Sequence, residues 1–220
     1  MGPCVFDLDH TLVRTPLDLA AMAVDMQALI ERERGPLPAR TGRWRVGELI
    51  DWCRTEAPRL EDALWAVALG HERRAMDAAV LEPGARDAVL GARRLGLATA
   101  LWTNNARAIT LPALERLGLA GLLDPVVTRD DMRALKPDPD GWRVIAAHFG
   151  GRAGDAGIAR RAVVVGDSWV DGLAAAAAGV PFVAYRADRA TLARRRVSPV
   201  AHLDELGHLP AWLAARGDGG

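Results

Sequence analysis

The chain has 220 residues, half of them hydrophobic, which is enough to bury a core and permits one large domain or a core with a small insertion. Acidic and basic residues balance at 28 each, so no net field draws the chain to nucleic acid or to an anionic membrane. Cys4 and Cys53 form no CxxC pair, no stretch reaches the roughly 20 apolar residues of a membrane span, and Asp7 and Asp9 interrupt the first apolar run before it can act as a signal-peptide core; the expectation is a soluble cytoplasmic protein with reduced thiols.

Residues 4–8 are a short apolar run ending in acidic side chains and are predicted to form a buried strand. Residues 17–30 are apolar and alanine-rich, a helix, whereas 32–45 are polar and hold Gly35, Pro36, Pro38 and Gly42, a loop. Helices are predicted over 46–54 and 60–80, with Pro58 opening the second. After Glu82-Pro83-Gly84 the rhythm changes. A helix over 85–95 ends at Gly96, followed by strand 97–102, helix 109–117, strand 125–128, helix 141–149, strand 162–165, the alanine-rich helix 172–178, strand 181–185 and a segment 203–215 that ends in a helix. Short buried strands alternating with helices are the pattern of a parallel α/β sheet, and the first strand joins that sheet from ahead of the helical block. The predicted fold class is therefore α/β. A Rossmann-like three-layer core with a parallel sheet takes residues 1–13 and 83–220, and a small, mostly helical cap of residues 14–82 is inserted after strand one.

In an open parallel sheet, ligands bind beyond the carboxyl ends of the strands. Those ends carry Asp7, Asp9 and His10 after the first strand, Thr103, Asn104 and Asn105 after the second, Asp130, Asp131 and then Lys136 after the third, and Asp167, Ser168 and Asp171 after the fourth. Carboxylates crowded together repel one another, and a hard divalent cation relieves that repulsion. Magnesium, Mg2+, prefers oxygen ligands and is bound by one or two carboxylates, waters and a substrate phosphate. Asp7, the main-chain carbonyl of Asp9 and Asp167 are the expected ligands, with Asp171 in support. The remaining groups suit phosphoryl transfer: Asp7 as nucleophile, Asp9 as general acid and then base, Lys136 balancing charge, and Thr103 and Asn104 holding phosphate oxygens. Lys136 is the one lysine among the 28 basic residues, all the others being arginine. A compact ammonium and a planar guanidinium are not interchangeable at a tight site.

The sequence FDLDHTLV at 6–13 resembles motif one, DxDx[TV], of the haloacid dehalogenase-like hydrolases. WTNN at 102–105 resembles their motif two, LKPDPDGW at 135–142 motif three, and VVGDSWVDGLAAAAAG at 164–179 motif four; EPGARDAVLGARRLG at 82–96 resembles the segment leading from cap to core. The motifs stand in the family's order along almost the whole core. A cap between motifs one and two resembles the phosphoglycolate phosphatase and β-phosphoglucomutase branch. The resemblance implies a magnesium-dependent phosphatase that hydrolyses a small phosphorylated metabolite through an aspartyl-phosphate. Three positions depart from the pattern: His10 stands where glycine is frequent, and at the cap hinge Arg14-Thr15 replace Asp-Ser or Asn-Ser.

Three rival chemistries of the family are weighed on single residues. Asp9 argues against a 2-haloacid dehalogenase, and a cap without lysine excludes the Schiff base of a phosphonoacetaldehyde hydrolase. A phosphosugar mutase retains both aspartates and stays as the alternative, beside a weakly catalytic binding or regulatory module on the same fold. In the cap, Arg40, Arg43 and Arg45 are candidates for binding an anionic group of the substrate, and His10 is a candidate specificity residue. Trp52 and Trp65 are read as cap–core packing residues.

Overall fold

The computed structural model describes residues 2–150 and 156–217. Its elements in chain order are β1 (Cys4–Phe6), β2 (Val13–Arg14), α1 (Leu19–Arg34), α2 (Val46–Glu56), α3 (Glu61–Asp77), β3 (Val80–Leu81), α4 (Ala85–Arg94), β4 (Thr99–Trp102), α5 (Arg107–Arg116), β5 (Val126–Val127), α6 (Asp140–His148), α7 (Ala156–Arg161), β6 (Val163–Gly166), α8 (Trp169–Ala177), β7 (Phe182–Tyr185), α9 (Arg189–Arg194), β8 (Ala201–Leu203) and α10 (Leu209–Gly217). By contacts the chain divides into two compact units, Met1–Thr15 with Ala79–Gly220, and Pro16–Ala78.

In the first unit, β1 is buried along its whole length, as a central strand of a sheet covered by helices must be. Among the described residues the main sheet runs in the order β5-β4-β1-β6-β7-β8, all neighbours parallel, with helices on both sides. Phe6 lies beside Leu101 on β4 and Val165 on β6, so these three strands finish level with one another. The chain builds outward from β1 through β4 to β5, then returns to the other side of β1 with β6. That reversal is the topological switch point at which such sheets open a crevice. The core beneath it joins Val5, Ala100, Trp102 and Val164 to Trp142 and Ile145 of α6 and to Ala174 and Ala175 of α8. The alanines of α8 let that helix lie close to the sheet, and Gly172 closer still. A Cβ on Gly172 would stand 3.0 Å from the Phe182 ring of β7, and 2.3 Å from Val197 Cγ1 beyond α9.

The second unit has its own core. Helices α1, α2 and α3 enclose Met22, Met26, Ile30, Leu49, Cys53 and Leu64, with Trp44, Trp52 and Trp65 packed on that cluster. Asp18 caps α1 by accepting from the N–H groups of Ala20 and Ala21. No described helix is long and apolar enough to cross a membrane.

Several elements differ from the sequence expectation. Helix α3 stops at Asp77, and Val80–Leu81 pair antiparallel with Val13–Arg14 as a two-stranded ribbon within the first unit. The second unit is accordingly narrower than 14–82. The sequence also places no helix at 156–161 or 189–194 and no strand at 201–203, whereas the helix expected at the end of 203–215 is α10. Both ribbon strands and β8 are two or three residues long. No period can be read at that length, and pairing is decided by the neighbouring strand. Helix α8 starts at Trp169, ahead of the predicted Gly172, because Ser168 caps it.

The packing makes a direct test. Leu101 is fully buried at the centre of the sheet. Leu101→Ala is expected to lower stability by about 2–5 kcal/mol, measured as a shift of the denaturant midpoint with the slope unchanged.

Candidate active site

The site is assembled from the loops that leave β1, β4, β5 and β6. Asp7 continues the ladder beyond β1, its N–H donating to the Val165 carbonyl at 2.9 Å. The chain then turns sharply. The Leu8 carbonyl accepts from the N–H groups of Leu12 and Val13 at 2.9 and 3.0 Å. His10 closes the turn with a left-handed φ of 57°, a conformation that favours glycine, and its side chain is exposed. The turn places Asp9 against two neutral donors. Thr15 Oγ1 donates to Asp9 Oδ1 at 2.9 Å and Asn105 Nδ2 donates to Oδ2 at 2.5 Å.

Beyond β4, Thr103 is buried and its N–H extends the pairing to Val127. Asn104 was expected at phosphate oxygens. Its side chain instead clamps the main chain of Lys136, accepting from Lys136 N–H at 2.9 Å and donating to Lys136 carbonyl at 3.1 Å. That clamp aims the lysine. Lys136 Nζ donates to Asp7 Oδ1 at 2.6 Å, to Asp171 Oδ1 at 2.6 Å and to the Trp102 carbonyl at 2.9 Å. All three ammonium protons are thereby matched to acceptors.

Beyond β6, Asp167 is half-buried, and Asp171 lies one turn into α8 with 2% of its surface exposed. Asp171 Oδ2 accepts from Ser168 Oγ at 2.6 Å and from Ser168 N–H at 3.2 Å. Gly166 makes room for it: a Cβ there would fall 2.6 Å from Asp171 Cγ.

Asp7, Asp167 and Asp171 each offer an oxygen within 4.8 Å of the others. Burial raises the Asp7 carboxyl well above its ordinary range in spite of Lys136, and Asp171 and Asp167 push it the same way. Burial and the Asp171 carboxylate lift Asp167 to about 7. Burial also raises Asp9, against the pull of Thr15 and Asn105. Burial alone would lower the Lys136 ammonium, but Asp171 and Asp7 outweigh it and hold the lysine above its ordinary value. One ammonium among three carboxylates leaves the cluster short of positive charge. An all-oxygen set of this charge fits a hard divalent cation.

The other expected residues lie elsewhere. In the second unit, Arg40 forks onto Glu48 at 2.9 and 3.3 Å and stacks over Trp44, so its charge is already matched. Arg43 and Arg45 are exposed on the same loop. Asp130 and Asp131 accept from Arg107 and cap the turn after β5. The sequence places Asn105 at the strand end but gives it no role, although its amide is the one that meets Asp9. TNN supplies two adjacent amides, and only the turn decides which faces inward.

A family model for haloacid dehalogenase-like hydrolases matches residues 4–179, and the chain belongs to that family. It is similar to a plasmid-encoded phosphoglycolate phosphatase of Cupriavidus necator, at 33% identity over 193 residues covering 81% of this chain and 79% of that one. It is also similar to the phosphoglycolate phosphatase of Agrobacterium fabrum, at 29% identity over 188 residues covering 81% and 78%. A solved hydrolase from Pseudomonas syringae shares the fold with a TM-score of 0.68 at 22% identity, covering 99% of this chain and 97% of that one. The chain is thus an enzyme of the family's phosphatase branch.

Gly166 gives this geometry a sharp test. Gly166→Ala is expected to push the Asp171 carboxylate off Lys136 and to cost about 1–3 kcal/mol of stability. A crystal structure of the variant measures the first effect and denaturant unfolding the second.

Proposed function

We propose that the protein hydrolyses a small phosphate monoester through an aspartyl-phosphate on Asp7, with magnesium as cofactor. The observation that supports this most is the bridge from Lys136 to Asp7 and Asp171, with Asp9 held separately by neutral donors. Two carboxylates two residues apart in sequence thus have different partners, as two different roles require.

A carboxylate oxygen of Asp7 attacks phosphorus, and the bond from phosphorus to the ester oxygen breaks. Asp9 delivers a proton to that oxygen, and the alcohol leaves. Asp9, now ionised, takes a proton from water as the water attacks the aspartyl-phosphate, which releases inorganic phosphate and restores Asp7. Lys136 and the Thr103 hydroxyl steady the phosphoryl oxygens, and Asn104 serves by fixing the Lys136 loop. Asp7, Asp167, the carbonyl of Asp9 and, in support, Asp171 would hold the magnesium ion, which lends positive charge to the transferring phosphoryl group. The substrate class is a short phosphorylated metabolite, and 2-phosphoglycolate is the first compound to test because the similar curated proteins are named for it.

Phosphate release from a panel of phosphorylated metabolites, with magnesium present, tests the reading. Asp7→Asn should lose turnover by on the order of 10⁴-fold or more with the fold retained by circular dichroism. A chelator should abolish release, and added magnesium should restore it. Full activity of Asp7→Asn, or undiminished hydrolysis after metal removal, would falsify the mechanism. Phosphate moved between positions of one sugar, with little released, identifies a mutase instead.

The lysine has its own test. Two anions 4 Å apart repel by about 4 kcal/mol at an effective dielectric near 20, and Lys136 offsets that repulsion as the phosphoryl group meets Asp7. A guanidinium is wider and its donors are fixed in a fork, so it does not reproduce three contacts converging on one nitrogen. Lys136→Arg should lower kcat by roughly 10²–10³-fold although the charge is kept, and Lys136→Met should do at least as much damage.

A further inference from the structure

The first unit contains a second buried charge cluster that the chemistry above does not use. Glu82 follows the ribbon strand β3, and its side chain is 2% exposed. Oε1 accepts from Tyr185 Oη at 2.6 Å and from Arg186 Nη1 at 2.8 Å, and Oε2 pairs with Arg14 Nε at 3.0 Å. Tyr185 is itself buried in β7. Burial and the Glu82 carboxylate push its phenol above the ordinary range, so it remains a donor. Arg186 is anchored in turn by Nε to the Asp204 carbonyl at 2.8 Å and takes a left-handed φ of 47°. A non-glycine residue held in that region is over-determined by its surroundings. Glu82 N–H also donates to the Leu12 carbonyl at 2.9 Å, closing the ribbon at its base.

The carboxylate therefore ties three segments together: the end of β7, the return strand of the ribbon, and Arg14 on the outgoing strand. Arg14 is one of the two departures from the family's hinge pattern, and the structure supplies its partner. The residue after it is Thr15, the other departure, whose hydroxyl holds Asp9 Oδ1. We infer that Glu82 is a positioning residue for Asp9, acting through Arg14 and Thr15 to fix the hydroxyl that orients the acid/base carboxylate. The inference rests on the reading of Asp9 as acid/base. It assigns the Arg14-Thr15 pair a joint purpose, since one residue grips the sheet and the next grips the carboxylate.

The test is a double-mutant cycle on the magnesium-loaded full chain, with para-nitrophenyl phosphate and 2-phosphoglycolate as substrates. Glu82→Gln is expected to lower kcat about 10-fold with KM within about twofold, the pattern of lost transition-state alignment. In a Thr15→Val background the same substitution should cost less than about threefold, because the pathway is already cut. Independent sites instead multiply to within about twofold; multiplied losses overturn the proposal. So does an unchanged kcat in Glu82→Gln, or a change in KM alone. If Glu82→Gln does not fold, Arg14→Gln takes its place in the same cycle, since that side chain is 54% exposed. Tyr185→Phe, which keeps the ring and removes one donor, should shift kcat in the same direction by less. Failure of the underlying reading shows separately: the wild type then releases no phosphate, or Asp9→Asn keeps full activity.

Discussion

A single buried ammonium holds the working edge of this sheet together. Lys136 Nζ meets carboxylates from the ends of β1 and α8 and a carbonyl from the end of β4, while its own main chain is clamped by Asn104. Remove that charge and Asp7 and Asp171 face each other uncompensated, a loss of about 3–5 kcal/mol for a broken buried pair. The surrounding architecture serves to bring four loops within reach of one nitrogen. The level ends of β4, β1 and β6 do this for the carboxylates, and the loop after β5 returns across the edge to deliver the lysine.

The same charge balance explains why a metal fits the site. With Lys136 as the cation among them, burial leaves Asp7 and Asp167 raised above their ordinary values. Ionised carboxylates are costly in that setting, whereas the proposed reaction needs Asp7 ionised to attack. The three donor oxygens lie within 4.8 Å of one another, a grouping that one hard divalent ion would draw together. The geometry and the electrostatics are thus two views of one site prepared for a cation.

Much of this edge is legible in the sequence because it follows from order along the chain. Acidic and hydroxyl residues placed directly after short apolar runs must gather at one sheet edge once the runs pair in parallel. Asp7, Asp9, Thr103 and Asp167 follow that rule, Asp171 lies one turn beyond it, and Lys136 is marked by its isolation among arginines. The rule does not reach what depends on the path of a turn. Asn104 and Asn105 are adjacent and alike, yet one grips the lysine backbone and the other Asp9. The ribbon of β2 and β3 and the edge strand β8 are equally hidden, since strands of two or three residues have no period of their own. Glu82 reads as a linker residue, because nothing local shows that Arg14, Tyr185 and Arg186 converge on it.

Asp9 shows why the supporting residues matter as much as the reacting ones. In the proposed reaction Asp9 both gives and takes a proton, a role that suits a group not locked to a cation, because a strong ion pair favours the ionised form. Here both its oxygens meet neutral donors, a hydroxyl and an amide, which orient the group without fixing its charge. Burial opposes ionisation and the two donors favour it, so the balance is set by second-layer contacts. Orientation by neutral groups is only as good as the anchoring of those groups. Asn105 is anchored by its own backbone, which accepts from Arg129 N–H at 3.0 Å and donates to Thr103 Oγ1 at 3.1 Å. Thr15 follows a two-residue strand and needs an anchor from outside that strand. The neighbouring Arg14 has one in the buried Glu82. On the proposed role of Asp9, the substitutions at residues 14 and 15 act together, since Arg14 pairs with Glu82 and Thr15 donates to Asp9.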